Sequence, residues 1–291
     1  MIDRRGMLVG AAALACGGSA GAARWTDGVA LRATLAALER RSGGRLGVAV
    51  RDRATGDVFG YAADARFAMC STFKVPLVAA ILHRVDQGRE RGDRAITVGR
   101  SDIVPHAPFC ETRVGGRATV GELCEAAIVL SDNSAANLLL PIVGGPAGLT
   151  AFLRRTGDPA TRLDRIEPAL NSATPGDPRD TTTPAAMAAS LDRLALGPVL
   201  TPVSRGMLTE WMAASRTGLG MLRAGVPQDW RVADKTGRGQ TGTSAVIGVL
   251  WPPKRAPIVI ASYLTQAKIE GAAADGVHRD VAQAVVAALR G

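Results

Sequence analysis

The chain has 291 residues, a formal net charge of +9, 47% hydrophobic residues and 21% charged residues. Intrinsic disorder is excluded, because this apolar content can form a sizeable core, and the length allows one large domain or two modest ones. A nucleic-acid-binding protein is disfavoured as well, since only 4% of the residues are aromatic and only four of the 35 basic residues are lysine.

The first 22 residues are predicted to be an export signal. Arg4 and Arg5 precede an apolar run that is far shorter than the ~20 residues needed to cross a bilayer. The two arginines resemble a twin-arginine signal, which implies a periplasmic or secreted protein without stable membrane insertion. Attachment of a lipid at Cys16 is the weaker alternative, because Ala13 lies where lipid-attachment signals usually have leucine.

The remaining cysteines and the histidines predict neither a disulfide framework nor a metal site. Cys70, Cys110 and Cys124 can form at most one pair, so the mature protein is not expected to depend on disulfides. The three histidines are far apart in the chain, whereas a zinc site uses three or four nitrogen or sulfur ligands, some at short spacing. We therefore expect no metal and no cofactor.

Both ends of the chain show strand patterns flanked by helices. Apolar residues recur at helical spacing in Val29–Arg41, with Asp27 as a candidate cap. Strand patterns follow at Leu46–Val50 and Val58–Ala62, around a turn. The C-terminal part contains three further strand patterns and a helix: Arg231–Gly237, Ser244–Trp251, Ile258–Thr265 and Asp275–Arg290.

Between these ends, strand patterns nearly vanish and helical patterns dominate. The helical patterns cover Ser71–Val85, Val120–Ile128, Ser131–Leu140, Ala147–Arg154 and Pro184–Leu194. Because short turns join the strands, antiparallel pairing is favoured over parallel crossovers. The predicted fold class is α/β of the α+β type, with an antiparallel five-stranded sheet flanked by helices. Residues 23–65 and 214–291 would form the α/β domain, and residues 66–213 an inserted all-helical domain.

The first candidate motif is Ser71-Thr72-Phe73-Lys74, at the start of a predicted buried helix. The three-residue spacing places Lys74 on the same helical face as Ser71. A buried lysine can lose its proton and act as a base, which an arginine cannot. The alternative is a surface serine beside a solvated lysine, and the motif alone does not exclude it.

Ser131-Asp132-Asn133 begins another predicted helix. In a catalytic interpretation, the Ser131 hydroxyl transfers a proton and the Asn133 amide contacts the substrate. In a structural interpretation, the motif is a helix cap, because serine, aspartate and asparagine are all preferred in that role.

Lys235-Thr236-Gly237 lies within a predicted strand. Lys235 and Thr236 would present a cation and a hydroxyl to an anionic group, and Gly237 would let a ligand or another backbone come close to the strand. The alternative is a lysine on an edge strand, where its charge prevents aggregation.

Together and in this order, the three motifs resemble those of class A β-lactamases and penicillin-binding proteins. The polar, proline-rich segment 162–184 favours the first group, because a loop of this length in a compact domain is usually functional. It contains Glu167-Pro168-Ala169-Leu170-Asn171, which resembles the omega loop of class A serine β-lactamases. We define the omega loop as residues 162–180. By resemblance, Arg165 and Asp180 close this loop as an ion pair.

The resemblance implies hydrolysis of the β-lactam ring of penicillins and cephalosporins. Ser71 would attack the lactam carbonyl and form an acyl-enzyme, and Ser131 would pass a proton to the lactam nitrogen. Glu167 and Asn171 would hold the water that hydrolyses the acyl-enzyme. Either Lys74, or Glu167 through that water, would activate Ser71.

The resemblance also implies how the substrate binds. Lys235 and Thr236 would bind the substrate carboxylate, and the backbone N–H groups of Ser71 and Arg238 would form the oxyanion hole. His106 lies where the family has an aromatic gate, although an ordinary loop histidine is an equal alternative.

The sequence departs from the family at two kinds of position. Many class A enzymes have a carboxylate-binding arginine at the position of Ser244, and a subset has it at the position of Met221. Arg238 either supplies this cation or points to solvent, because successive residues of a strand face opposite sides. The partners with which Cys70 and Cys124 pair in relatives are not cysteines here.

Two alternative functions remain open at this point. A penicillin-binding D,D-peptidase shares the three motifs but lacks the omega-loop glutamate, and a non-hydrolytic β-lactam sensor stops at the acyl-enzyme. In each case the expected partner is a small-molecule β-lactam and not a nucleic acid. The family is usually monomeric.

Overall fold

The computed structural model describes residues 28–290. The predicted export signal, Cys16 and Asp27 lie outside these residues. The helices are α1 (Gly28–Ser42), α2 (Lys74–Asp86), α3 (Val120–Val129), α4 (Asn133–Leu139), α5 (Gly145–Arg155), α6 (Pro184–Ala195), α7 (Pro202–Ala213), α8 (Leu222–Gly225) and α9 (Gly271–Arg290). The strands are β1 (Arg45–Asp52), β2 (Val58–Tyr61), β3 (Phe67–Ala68), β4 (Ala95–Thr97), β5 (Arg117–Thr119), β6 (Thr181–Thr182), β7 (Arg231–Gly239), β8 (Thr243–Trp251) and β9 (Ile258–Thr265).

Five strands form one antiparallel sheet in the order β2-β1-β9-β8-β7. Strand β1 from the N-terminal part pairs with β9 from the C-terminal part, so the two ends of the chain meet in the middle of the sheet. The predicted α/β fold class with an antiparallel five-stranded sheet is therefore confirmed. Strand β7, which carries the Lys-Thr-Gly motif, forms one edge of the sheet.

Alternate residues of the central strands pack into two hydrophobic cores. Val246 lies in one core with Leu35 of α1 and Val281 of α9. Ile247, which faces the other side of the sheet, lies in a second core with Leu77 of α2. Because both faces are covered, β8 and β9 are buried along almost their whole length.

The segment 66–213 differs from its prediction in two respects. Helix α7 was not predicted, although Thr201 and Pro202 mark its start: Thr201 accepts a hydrogen bond from the Ser204 backbone N–H, and Pro202 takes the first helical position. Short strand pairs also occur in this segment, β3 with β6 and β4 with β5. The division into two domains stays a prediction.

Within residues 28–290, no single helix is both long and apolar enough to cross a bilayer. The segments Asn133–Val143 and Gly145–Arg155 reach that length and hydropathy only together, as a pair bent by 69°.

Candidate active site

Ser71 and Lys74 lie where a tight turn leads into α2. Residues Cys70–Phe73 form a 3-10 turn, and α2 begins at Lys74, whereas the sequence predicted one continuous helix from Ser71. A 3-10 turn has three residues, so side chains three positions apart are stacked. Lys74 Nζ accordingly donates a hydrogen bond to Ser71 Oγ over 2.9 Å.

The backbone next to Ser71 is strained and closely packed against β7. Cys70 has a φ of 46°, a conformation that non-glycine residues rarely adopt. A Cβ atom at Gly237 would lie 2.8 Å from the Met69 carbonyl oxygen and 3.1 Å from Ser71 N. Glycine at this position therefore allows the strand to approach the backbone of the candidate nucleophile.

Lys74 is completely buried and surrounded by hydrogen-bond acceptors. Its Nζ donates to the Ser131 carbonyl oxygen over 2.7 Å and to Asn133 Oδ1 over 2.5 Å. The same atom lies 3.2 Å from Glu167 Oε1. Burial lowers the pKa of Lys74, and the Glu167 carboxylate opposes part of that effect. Lys74 can therefore release its proton more readily than a solvated lysine.

Glu167 approaches Ser71 from the omega loop. Its Oε1 lies 3.5 Å from Ser71 Oγ, and its Oε2 accepts a hydrogen bond from Asn171 Nδ2. Asn137 holds the backbone of Glu167 in place, donating to its carbonyl oxygen over 2.9 Å and accepting from its N–H over 3.0 Å. Asn137 was not predicted from the sequence, although it follows Asn133 by one helical turn and so lies on the same face.

An ion pair joins the two ends of the omega loop. Asp180 is buried, and its Oδ2 accepts a hydrogen bond from Arg165 Nε over 2.5 Å. Its Oδ1 accepts from the backbone N–H groups of Asp164 and Arg165 over 2.8 and 2.9 Å. The pair thus fixes the stretch of backbone that leads directly to Glu167.

Replacing Arg165 by alanine is expected to lower the free energy of unfolding by about 1–3 kcal/mol, because the buried Asp180 carboxylate loses a charged donor. It should also slow turnover, since the backbone that carries Glu167 loosens. Urea denaturation and steady-state kinetics measure the two effects. Arg179→Ala is the matched control: Arg179 pairs with Asp177 at the loop surface, where such a pair contributes less than about 1 kcal/mol. Equal losses in both variants would contradict this role of Arg165.

Lys235 contacts Ser131 from the β7 side. Its Nζ donates to Ser131 Oγ over 2.8 Å and to the Thr236 carbonyl oxygen over 2.9 Å. Burial, and next the positive charge of Lys74, lower the pKa of Lys235 well below its ordinary value. Ser131 therefore contacts both lysines, one through its hydroxyl and the other through its carbonyl oxygen.

Within Ser131-Asp132-Asn133, Asp132 has the structural role of a helix cap. Its Oδ1 caps α4 by accepting from the Ala135 backbone N–H, and its Oδ2 accepts from Cys110 N. The preceding loop is fixed to α4 as well, because Asn133 N donates to the His106 carbonyl oxygen over 2.9 Å. Asp132 thus organises the wall of the site, while Asn133 faces Lys74.

These side chains border a cleft of about 300 Å³. The predicted residues that line it are Ser71, His106, Ser131, Asn133, Asn171, Thr236, Gly237 and Arg238. Three further predicted residues are buried behind this lining: Lys74 and Glu167, which contact Ser71, and Lys235, which contacts Ser131. Thr217 and Gly218 also line the cleft but were not predicted, and Thr217 Oγ1 lies 2.7 Å from Thr236 Oγ1.

Comparisons with known proteins show the family of this chain. A model described as the β-lactamase enzyme family matches residues 30–289. The β-lactamase Toho-1 of Escherichia coli is 47% identical over 232 residues, which is 80% of each chain, and the β-lactamase OXY-1 of Klebsiella oxytoca is 46% identical over 83% of each chain. An ancestral class A β-lactamase structure is 60% identical, with a TM-score of 0.88 over 89% of this chain and 99% of its own. A β-lactamase structure from Xanthomonas campestris is 50% identical, with a TM-score of 0.87 over 89% of this chain and 97% of its own.

This chain belongs to the class A β-lactamase family.

In this β-lactamase, Ser244 takes part in a buried polar network. His278 of α9 lies between two serines, with Nε2 2.9 Å from Ser244 Oγ and Nδ1 2.8 Å from Ser262 Oγ. Burial lowers the pKa of His278 to about 3, so its ring is neutral near neutral pH. The network joins α9 to β8 and β9, and the sequence analysis did not predict it.

The cysteines of this β-lactamase are unpaired within residues 28–290. Cys70, Cys110 and Cys124 are all buried and free. Burial raises the pKa of the Cys70 thiol to about 12, which keeps it protonated. Cys70 is therefore a small apolar neighbour of Ser71 rather than a second nucleophile.

Proposed function

We propose that this β-lactamase hydrolyses penicillins and cephalosporins through an acyl-enzyme on Ser71. The observation that carries the proposal is the contact of one serine hydroxyl with two candidate bases. Ser71 Oγ lies 2.9 Å from Lys74 Nζ and 3.5 Å from Glu167 Oε1. A serine hydroxyl is a weak nucleophile unless an adjacent base takes its proton.

In the acylation step, Ser71 Oγ bonds to the lactam carbonyl carbon and the ring C–N bond breaks. The proton of Ser71 passes either directly to Lys74 or through a water to Glu167, and the distances allow both routes. Ser131 delivers a proton to the departing nitrogen. The backbone N–H groups of Ser71 and Arg238 stabilise the negative charge that develops on the carbonyl oxygen.

In the deacylation step, a water held by Glu167 and Asn171 attacks the ester. Glu167 accepts a proton from this water as the bond to the carbonyl carbon forms, and Ser71 leaves with a proton. The hydrogen bond from Asn171 Nδ2 to Glu167 Oε2 orients the carboxylate for this task. This carboxylate beside Ser71 favours hydrolysis over a D,D-peptidase, which would lack it, and over a sensor, which would stop at the acyl-enzyme.

Arg238 is proposed to supply the cation that Ser244 cannot. The register of the sheet pairs Arg238 of β7 directly with Ser244 of β8, so their side chains lie on the same face. The Arg238 guanidinium is half-exposed and donates to Asp275 Oδ1 of α9 over 2.5 Å. Together with Lys235 and Thr236, it would bind the substrate carboxylate at one end of the cleft.

The opposite wall is proposed to bind the rest of the substrate. Asn133 would contact the substrate through its amide, and His106 would lie at the entrance of the cleft. Gly237 contributes its backbone, because no side chain fits between β7 and the turn that carries Ser71.

Replacing Arg238 by alanine is expected to raise KM for a penicillin about tenfold, because a charge-assisted hydrogen bond to the carboxylate is lost. The value of kcat should change much less. Steady-state kinetics with the same penicillin and with its methyl ester measure the effect, since the ester has no carboxylate to lose. If KM did not change, or changed equally for the ester, a cation other than Arg238 would bind the substrate carboxylate.

The experiment that tests the proposed function follows penicillin hydrolysis and the intact mass of the protein in the same mixture. Fast turnover with little adduct is expected, and Ser71→Ala should show neither hydrolysis nor adduct. A stable one-to-one adduct without turnover would contradict the proposal and indicate the sensor or the D,D-peptidase.

The proposal includes the setting in which the enzyme acts. It would be exported by the twin-arginine-like signal to the periplasm or the medium and act there as a monomer without a cofactor. The inserted, mainly helical segment 66–213 and the α/β domain would each contribute one side of the cleft.

A further inference from the structure

A second cleft lies at the far end of α2 from Ser71. Its volume is about 900 Å³, and it is bordered by the last turns of α2, the end of α5 and the turn at Pro198-Val199. This volume is within the range of about 300–1,000 Å³ that is usual for small-molecule sites. The proposed catalytic and substrate-binding residues do not line it, so it is separate from the β-lactam cleft.

Three arginines give the second cleft a positive charge. Arg84, Arg89 and Arg155 line it, and none of their guanidinium groups has an ion pair or a hydrogen bond with any residue in the described range 28–290. The described lining contains no aspartate and no glutamate. Glu90, the carboxylate next to Arg84, is bound instead by Arg94 over 2.8 and 2.7 Å.

Two arginines near the second cleft differ, because each donates short hydrogen bonds to backbone carbonyl oxygens. Arg154 donates to the carbonyl oxygens of Asp158 and Thr161, both over 2.6 Å, and Arg205 donates to the Gly197 carbonyl oxygen over 2.6 Å.

The negative end of a helix dipole attracts cations, which could explain why Arg84 and Arg155 stand in the last turns of α2 and α5. It does not explain Arg89, which lies beyond the end of α2. Arg84 Nε is moreover buried without a hydrogen-bond partner among the described residues, as are Arg51 Nε and Arg193 Nε, so it remains able to donate to an acceptor in the cleft.

Part of the lining of the second cleft is apolar. Ala80, Phe152 and Val199 contribute to it. The His83 ring lies 5.7 Å from the Phe152 ring, and its Nδ1–H donates to the Val199 carbonyl oxygen over 3.0 Å. His83 Nε2 lies 2.8 Å from Gln87 Nε2, so both nitrogens of the ring are held by neighbours within the cleft.

We propose that the second cleft binds a small organic phosphate: an apolar body on the floor, with a phosphate group between the arginines. Arginine is well suited to this role, because its planar guanidinium forms paired hydrogen bonds with phosphate oxygens. The proposal is independent of β-lactam hydrolysis, because it involves none of the residues assigned to that reaction.

The test is calorimetric titration with 1-naphthyl phosphate, with 1-naphthol and inorganic phosphate as reference compounds. The wild-type protein should bind 1-naphthyl phosphate at one saturable site and each reference compound more weakly. In Arg89→Gln/Arg155→Gln, the dissociation constant should rise at least about tenfold, because two charge-assisted hydrogen bonds are lost.

Arg40→Gln/Arg100→Gln is the matched control. Both arginines are exposed and lie outside the second cleft, and their replacement removes the same two positive charges. Its dissociation constant should stay within about twofold of the wild-type value. Hydrolysis of a penicillin, which both double variants should retain, shows that they are folded. The absence of saturable binding would overturn the proposal. An equal weakening in both double variants would also overturn it, because binding would then depend only on the net positive charge of the protein.

Discussion

Replacing Glu167 by glutamine is expected to convert the enzyme into one that acylates and then stops. Glutamine has nearly the same shape and can still accept a hydrogen bond from Asn171, but it cannot take a proton from the attacking water. Loss of a general base typically lowers a rate about 10²–10⁴-fold, so deacylation should fall by that amount while a penicilloyl adduct accumulates on Ser71. Stopped-flow hydrolysis and intact-mass measurements on one sample follow both events.

The control for this experiment is Glu111→Gln, which removes a carboxylate from the protein surface. Its turnover and mass spectrum should match those of the wild-type enzyme. If Glu167→Gln turned over as fast as Glu111→Gln, Glu167 would have no part in deacylation. If Glu167→Gln formed no adduct at all, the result would instead favour Glu167 as the base of the acylation step.

Replacing Lys74 by methionine is expected to slow acylation about 10²–10⁴-fold, because Ser71 loses the amine that contacts its hydroxyl. The same change leaves the Glu167 carboxylate buried without its cation, which typically destabilises a protein by about 3–5 kcal/mol. Pre-steady-state acylation and urea denaturation must therefore both be measured.

A double variant separates the two effects of Lys74. In Lys74→Met/Glu167→Gln both charges are removed, so much of the lost stability should return while acylation stays slow. The two single changes should thus be strongly non-additive in stability. Lys254→Met, at an exposed lysine, controls for loss of an amine elsewhere. Fast acylation in a stable double variant would show that Lys74 is dispensable.

The local geometry of Ser71, the proposed nucleophile, could be predicted, because it depends on short-range structure. Ser71 and Lys74 are three residues apart, and either kind of helical turn places such residues on one side. The kind of turn could not be predicted, since the 3-10 geometry and the positive φ of Cys70 arise where β7 packs against this segment.

The contacts of Arg238 show where prediction from sequence ends. The alternation of a strand left two directions open for its side chain. The register between β7 and β8 and the position of Asp275 on α9 set the contacts of its guanidinium, and both depend on contacts between distant parts of the chain. The network of His278 with Ser244 and Ser262 was missed for the same reason.

The fold class could be predicted from apolar periodicity and turns, because these are local properties that short helices and strands preserve. The combination of the three motifs with Glu167 was recognised through its resemblance to class A β-lactamases. Tertiary contacts bring Glu167 to 3.5 Å from Ser71 across 96 positions of the chain and bury Lys74 and Lys235. Burial is what lowers the pKa values of Lys74 and Lys235, and it results from the packing of the whole molecule. The second cleft likewise results from packing, which placed Arg84, Arg89 and Arg155 around one cavity. None of the three forms an ion pair in the described part of the chain.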